Sequence, residues 1–563
     1  MAVLQAQTIK ESPAETVEAI KAIERRADDC YKNLEVLALP SNLATWGLLT
    51  EGIRLIEGAM ATHGENSSDL DASLINMGRG LTTAIKWILA HGKPPSRLAA
   101  FRWTPEFTQK VEQAVRTALQ YAAFETAFPM WHKDRYAAQL MSPQIVRFSS
   151  QSSTRERQVS AYQKGFRPTA GNFEGKPAQK PDVRPEAKRL FDTTLDSAMK
   201  DGRYRLRYAD PWGLWEVLLP EYQARVSGIA RRSDSLSLGS YTLGEFNSFY
   251  AALLAVAATH EHLCWLWERR HSEFPIKSAV LVWNRPRWKS VLSTLSGIAE
   301  EKCGAMIRDL CFSPEHSIDL HVHPFVPFDK TSFQIALAAP FPLHSLPDEN
   351  ILQVCSILRP DVFDAASLEK EQELIAKLSS ELSRYSPVGA IGLPKPTPDI
   401  DLLIVDESDE TLVICELKWM RKPIRSGKIP YSDADVIKGV AQLRQIREYL
   451  KRSPEQLKRI GKLARPINEY RRVEYVLVAR DHWPWIEPED NLSIVEYGGF
   501  AKAMLSAGSL SQALDRLLGY SWLPEEGRDF TVMFERSTVN GVGVESEVFY
   551  PARLGQTSPA YGL

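Results

Sequence analysis

Between Pro398 and Lys418 the chain reads PDIDLLIVDESDETLVICELK. Two apolar runs, Ile400–Val405 and Leu412–Lys418, flank a polar DESDET turn, so the stretch is expected to fold back as a β-hairpin. Side chains alternate along a strand, which puts Glu416 and Lys418 on one face and Cys415 and Leu417 on the other. With the turn centred on Ser408-Asp409, Asp401 stands opposite Glu416 and Asp399 opposite Lys418. Directly opposed side chains lie about 5 Å apart. Two carboxylates held that close repel unless a cation sits between them. A hard divalent ion such as Mg²⁺ suits oxygen ligands of this kind. The neighbouring lysine can stabilise charge developing on a phosphate or orient an attacking water.

The 563 residues are too many for one hydrophobic core, and two to four domains are expected. With 44% hydrophobic residues, 25% charged residues and a net charge of -2, composition marks a globular protein and leaves overall charge silent about partners. The six cysteines include no CxxC pair, which argues against both a disulfide framework and a zinc ribbon. The N-terminal MAVLQAQTIKESPAE lacks the layout of a secretory signal, and no apolar run approaches the roughly 20 residues that span a bilayer. The expectation is a cytoplasmic protein with no membrane partner.

The fold class read from the chain is multidomain. Residues 1–147 are expected to be all-helical, with a capping box and N-terminal proline at Ser12-Pro13-Ala14-Glu15 and helices over Leu43–Ala61, Leu70–Ala90 and Thr104–Phe128. Packing, or docking of a protein partner or a second copy, is the role expected of these helices. Residues 148–185 lose the apolar pattern and read as a linker or exposed loop. Residues 186–349 mix helix and strand: a long helix over Thr242–Arg269, a strand at Ser278–Trp283, a helix from Arg287, and paired strands at Ile318–Val326 and Ser332–Ala338. His321 and His323 would share a face of the first of these, but no ligand spacing of a known zinc module accompanies them. Phosphate loops, a GxSxG elbow and an HExxH helix are all absent.

Residues 350–525 read as an α/β domain with a central mixed sheet, in the order helix, strand, strand, helix, strand, strand, helix. The first helix, Ser367–Leu382, carries an apolar stripe of Leu368, Ile375, Leu378 and Leu382, and Glu371 lies on or beside it. A carboxylate there needs a partner. On the helix after the hairpin, Lys438, Gln442, Gln445 and Tyr449 form one face, with Gly439, Leu443, Ile446 and Leu450 as the core stripe. From Lys418 to Arg472 there are 16 Lys/Arg against 5 Asp/Glu, a basic patch of the kind a polyanion needs. Residues 526–563 form a C-terminal hairpin, turning at Asn540-Gly541, and a tail.

Pro398-Asp399, Ile400-Asp401 and Glu416-Leu417-Lys418, in this order of elements, resemble the PD-(D/E)xK nuclease superfamily, whose core is the restriction-endonuclease-like fold. The resemblance implies that Asp401 and Glu416 bind metal together with the Leu417 carbonyl, with Asp399 and Glu371 as further candidate ligands, and that Lys418 is the catalytic lysine. It also implies Mg²⁺ as cofactor, with Mn²⁺ substituting. Gln445 and Tyr449 resemble a Gln-x-x-x-Tyr signature of recombination and repair nucleases, and Gln442 is a competing match. The expected activity is metal-dependent endo- or exonucleolytic hydrolysis of nucleic acid, DNA first, in a setting compatible with defence against foreign DNA. The alternative is a non-catalytic nucleic-acid-binding or scaffold protein on a degenerate nuclease fold. A zinc enzyme built around His321 and His323 is a third reading.

Overall fold

The computed structural model describes residues 13–63, 68–96, 103–150, 153–163, 185–200, 206–229, 234–316, 319–328, 334–343, 347–419, 429–480, 484–489 and 491–552. The N-terminal region is helical as expected: α1 (Pro13–Asp28), α2 (Ser41–His63), α3 (Ser68–His91) and α4 (Pro105–His132). Thr104 caps α4, its side chain accepting from the Phe107 N–H at 3.3 Å, with Pro105 at the first helical position, where no donor is lost. Leu48, Leu49, Leu81, Ile85, Val111 and Val115 close the core among these helices. A hairpin follows, β1 (Tyr136–Ser142) and β2 (Ile145–Ser150), which the helical pattern did not announce.

Within the stretch 148–185, expected as a linker or exposed loop, the described residues include secondary structure. Thr154–Gln163 forms α5, and its Val159 is buried against the C-terminal sheet domain. Tyr162 O–H donates to Glu496 at 3.2 Å. The rest of the stretch, 164–184, lies outside the described residues.

The middle region begins with α6 (Pro185–Ser197), the short β3 (Met199–Lys200) and β4 (Leu206–Arg207), and α7 (Trp212–Ile229). Helix α8 (Leu243–His271) is its spine. Thr242 and Glu245 close a capping box at its start, and its alanine-, leucine- and aromatic-rich length is buried on most sides. Around it pack β5 (Leu281–Asn284), α9 (Arg285–Ser296), α10 (Glu300–Asp309), β6 (Phe325–Pro327), β7 (Gln334–Leu337), α11 (Pro340–Leu343) and α12 (Pro347–Leu358), the three strands in the antiparallel order β5-β7-β6. His321 and His323 fall in a turn before β6, so strand alternation does not align them. His321 packs on the Phe341 ring; His323 is fully buried, with neither ring nitrogen hydrogen-bonded. Helix α12 belongs to this core through Ile351, Leu352, Val354 and Cys355, and Phe363 and Ala366 further along the chain pack with it.

The C-terminal domain opens with α13 (Pro360–Glu381), seven residues earlier than the apolar stripe suggests. Ala366, Leu374 and Leu378 are buried along it, as is Leu382 just past its end; Leu368 is exposed, because the stripe runs through Leu374 rather than Leu368. Next come β8 (Val388–Ile391), a strand not foreseen, then β9 (Ile400–Asp406), β10 (Thr411–Trp419), α14 (Ile429–Arg452), α15 (Pro454–Gly461), β11 (Arg472–Arg480), β12 (Leu492–Glu496), α16 (Tyr497–Ser506) and α17 (Leu510–Leu518). The sheet order is β12-β11-β10-β9-β8, antiparallel from β8 to β10 and parallel from β10 to β12. Helices α13, α16 and α17 cover one face and α14 and α15 the other, which is why β10 reads as a nearly unbroken apolar run.

The last hairpin, β13 (Phe530–Val539) and β14 (Val542–Pro551), returns to the start of the chain. Strand β14 pairs in parallel with β2, giving a four-stranded sheet in the order β1-β2-β14-β13. Among the described residues no helix is long and apolar enough to cross a membrane.

Candidate active site

Strands β9 and β10 pair in the register read from the sequence, Thr411 with Asp406 through Cys415 with Leu402. The ladder stops there, and the next step in that register is Asp401 opposite Glu416. In place of a ladder bond, Asp401 Oδ2 accepts from the Leu417 N–H at 2.8 Å. Asp401, Glu416 and Lys418 share the strand parity of Leu403, Leu412 and Ile414, whose side chains pack in the core beneath α14. Gly439 brings α14 down onto this spot. A Cβ at that position would stand 2.5 Å from Leu477 Cδ1 and 3.1 Å from Lys418 Cε.

Glu416 is only 2% exposed. Its Oε1 pairs with Lys418 Nζ at 2.7 Å, while its Oε2 is buried with no hydrogen-bond partner. Burial, and then the Asp401 charge, push the Glu416 carboxyl up to about 7, against the pull of Lys418. Burial likewise raises Asp401, opposed by the Leu417 N–H and Lys418. Glu371 on α13 is raised by burial, lowered by Lys418 and raised by Asp401, so it belongs to the same electrostatic cluster. Burial alone would lower the Lys418 ammonium, but Glu416, Glu371 and Asp401 together hold it above its ordinary value. Lys418 is thus ion-paired with Glu416 and feels the charges of Glu371 and Asp401 in a poorly solvated place.

Asp399 is turned elsewhere. It accepts from the Leu393 N–H at 3.0 Å and pairs with Lys395 at 3.2 Å, and these contacts hold its carboxyl below the usual range. It does not face Lys418, because β9 begins only at Ile400 and Asp399 still belongs to the preceding loop. On α14, Lys438 and Gln445 are exposed and Gln442 and Tyr449 half-buried. Gln442 lies one turn beyond Gly439, and its Oε1 is buried without a partner. Gly439, Leu443, Ile446 and Leu450 are all buried, as the helical phase requires. Arg421, Lys422, Arg425 and Lys428 of the basic patch lie outside the described residues.

Two features were not read from the sequence. One is Gly439 as the point of close approach, which a lone glycine within a helical pattern could have signalled. The other is Trp419, whose ring lies 6.0 Å from Phe363 and packs on the middle-region core. Lys418 is therefore held between Leu417 in one core and Trp419 against another.

Among the described residues no three His, Cys, Asp or Glu side chains gather closely enough to hold a metal ion by themselves. Asp401 and Glu416 are then the side-chain pair on which a divalent ion would rest, with water completing its shell. The orphaned Glu416 Oε2 and the raised carboxyl groups fit that occupant. No family profile, curated protein or solved structure matches this chain.

Proposed function

We propose that this protein is a metal-dependent nuclease that hydrolyses phosphodiester bonds in nucleic acid, DNA first, and that its C-terminal domain is of the PD-(D/E)xK type. The observation that carries this reading is the convergence of Asp401, Glu416 and Lys418 beneath Gly439, with one Glu416 oxygen buried and unpaired. A sheet with α13 before the hairpin and α14 after it, crossing to a parallel β11, supports the same assignment.

Asp401 and Glu416 would hold Mg²⁺, or Mn²⁺ in its place, with the Leu417 carbonyl as a further oxygen ligand. The bound ion would supply Lewis-acid stabilisation of the phosphate and a more acidic water. Lys418, kept charged by its three carboxylate neighbours, orients the attacking water and stabilises the negative charge of the transition state. Glu371 balances the Lys418 charge from α13. Lys438, Gln442, Gln445 and Tyr449 form the face of α14 on the substrate side, the exposed members meeting phosphate and Gln442 steadying the site. Action on foreign DNA in the cytoplasm is the biological setting this reading favours.

The test is a cleavage assay with Mg²⁺ or Mn²⁺ on linear, circular and single-stranded DNA. Wild type should cut, and Lys418→Ala and Glu416→Ala should each lose at least a hundredfold in rate while binding DNA undiminished. Metal-independent binding without any cleavage by wild type would replace the nuclease with a nucleic-acid-binding scaffold.

A further inference from the structure

The four-stranded sheet β1-β2-β14-β13 ends in β13, and among the described residues no strand pairs with its outer edge. Phe530 and Val539, at the two ends of β13, are buried. Between them Met533, Phe534, Glu535 and Arg536 are exposed in unbroken succession, hence on both faces of the strand. Met533 is 46% exposed and Phe534 43%. Two common ways of blunting an edge are missing here. The strand contains no proline, and its ladder with β14 runs without a bulge from Phe530 opposite Pro551 to Val539 opposite Val542. A straight, ten-residue edge with two large apolar side chains at its middle is a template for one more strand.

The sequence of β13 itself says which strand fits. A second copy that extends the sheet in antiparallel fashion is related by a two-fold axis normal to the sheet, which keeps each face on its own side. Directly opposed side chains then share a face, so the numbers of opposed residues sum to an even value. Two such registers pair nearly all of β13. With Glu535 on the axis, two carboxylates stand opposed about 5 Å apart and repel. With Phe534 on the axis, Phe534 meets its own copy, Met533 faces the partner's Glu535, and Val532 faces the partner's Arg536. No like charges are then opposed, and the apolar side chains sit at the centre of the seam with the charges outside them.

The side chains are also prepared for this. The Arg147 guanidinium lies 4.7 Å from the Phe534 ring centroid, so the ring is already held, and Arg536 is already paired with Glu545 at 2.5 Å. An unrelated extended peptide would find the same backbone edge without this match of side chains. Pairing β13 with its copy uses up the edge on both molecules, so the assembly closes as a dimer.

We propose that the protein forms a symmetric dimer through β13, with Phe534 on the two-fold axis and the two four-stranded sheets joined into one. This assembly does not depend on the proposed nuclease activity.

Sedimentation velocity on the full chain, at concentrations up to about 50 μM, tests it. Wild type should sediment as a dimer. Phe534→Lys, which sets two like charges opposite each other, should weaken dimerisation at least tenfold with the circular dichroism spectrum unchanged. The register has its own test in mild oxidation. Phe534→Cys should form a covalent dimer, since directly opposed strand positions lie within disulfide reach, and should do so at least tenfold faster than Glu535→Cys or wild type. Wild type that stays monomeric overturns the proposal and leaves the edge to an extended segment of another protein. A dimer indifferent to Phe534→Lys overturns it too, as does faster crosslinking of Glu535→Cys than of Phe534→Cys.

Discussion

Burial sets the chemistry of single residues throughout this chain. At the candidate active site it raises Glu416 and Asp401 together, and Lys418 partly offsets the repulsion. In the middle region it does the reverse to histidine, lowering His260 to about 4 and His323 to about 3. The sign of the resulting pH dependence follows from proton counting. Both imidazoles stay neutral when folded but bind a proton below about pH 6.5 when unfolded, so the unfolded state gains protons as pH falls. The contribution of these two histidines is therefore full above about pH 6.5 and declines from there toward about pH 4 and below, while the raised Glu416 and Glu57 carboxyls act in the opposite sense. At about 1.4 kcal/mol per pH unit, each histidine costs about 2 kcal/mol by pH 5. Melts of wild type and of His323→Phe, which removes a ring with no hydrogen-bond partner, check this: between pH 7.5 and pH 5 the variant should lose about 2 kcal/mol less stability than wild type. At this scale the sequence was informative about residue type and parity: Asp401 rather than Asp399, and Glu371 beside the stripe. It was silent about Glu416 Oε2, since an unpaired atom is a property of what packs around it.

Helix α13 shows what one element does between two regions. It starts at Pro360, directly after Arg359, whose guanidinium donates to the Leu238 carbonyl at 2.7 Å and to Asp309 at 2.7 Å. Tyr241 O–H donates to the same Asp309 carboxylate at 2.5 Å. Three turns later the helix presents Glu371 to Lys418. Arg359→Ala leaves Asp309 and Tyr241 without their cation in a largely enclosed place and should cost on the order of 3 kcal/mol. Chemical denaturation checks that loss, and a fall in cleavage rate larger than the rise in KM would show that α13 positions the site. The sequence located this helix but misplaced its start and its stripe, because Leu368 fits the helical phase locally and only packing leaves it in solvent. Strand β8 escaped notice for a related reason. Val-Gly-Ala-Ile has no strong strand character alone and becomes a strand by pairing with β9.

At the scale of the whole molecule the two ends of the chain complete one another. Val539, Val542 and Val544 of the last hairpin pack with Ile20, Ile23, Phe128 and Phe148. Arg26 and Asn540 exchange hydrogen bonds at 2.9 Å, and Arg147 pairs with Glu545 at 2.6 Å. Removing residues 530–552 strips the apolar cover from β2 and α4, a loss of roughly 5 kcal/mol at 1.5–3 kcal/mol per buried valine. The truncated chain should bind a hydrophobic dye and elute as aggregate, and Val544→Asp should do the same more weakly, both read by size-exclusion chromatography. The sequence by itself determined the hairpin, its register and the core face of α14, because these depend on alternation and on periods of two and 3.6 residues. Only the tertiary structure decided that β14 joins β2 across some 400 residues, that α5 docks where a linker was expected, and that Gly439 and Trp419 hold Lys418 in place. Those pairings form between segments far apart along the chain, and their energy lies in the fit of two surfaces that neither segment describes alone.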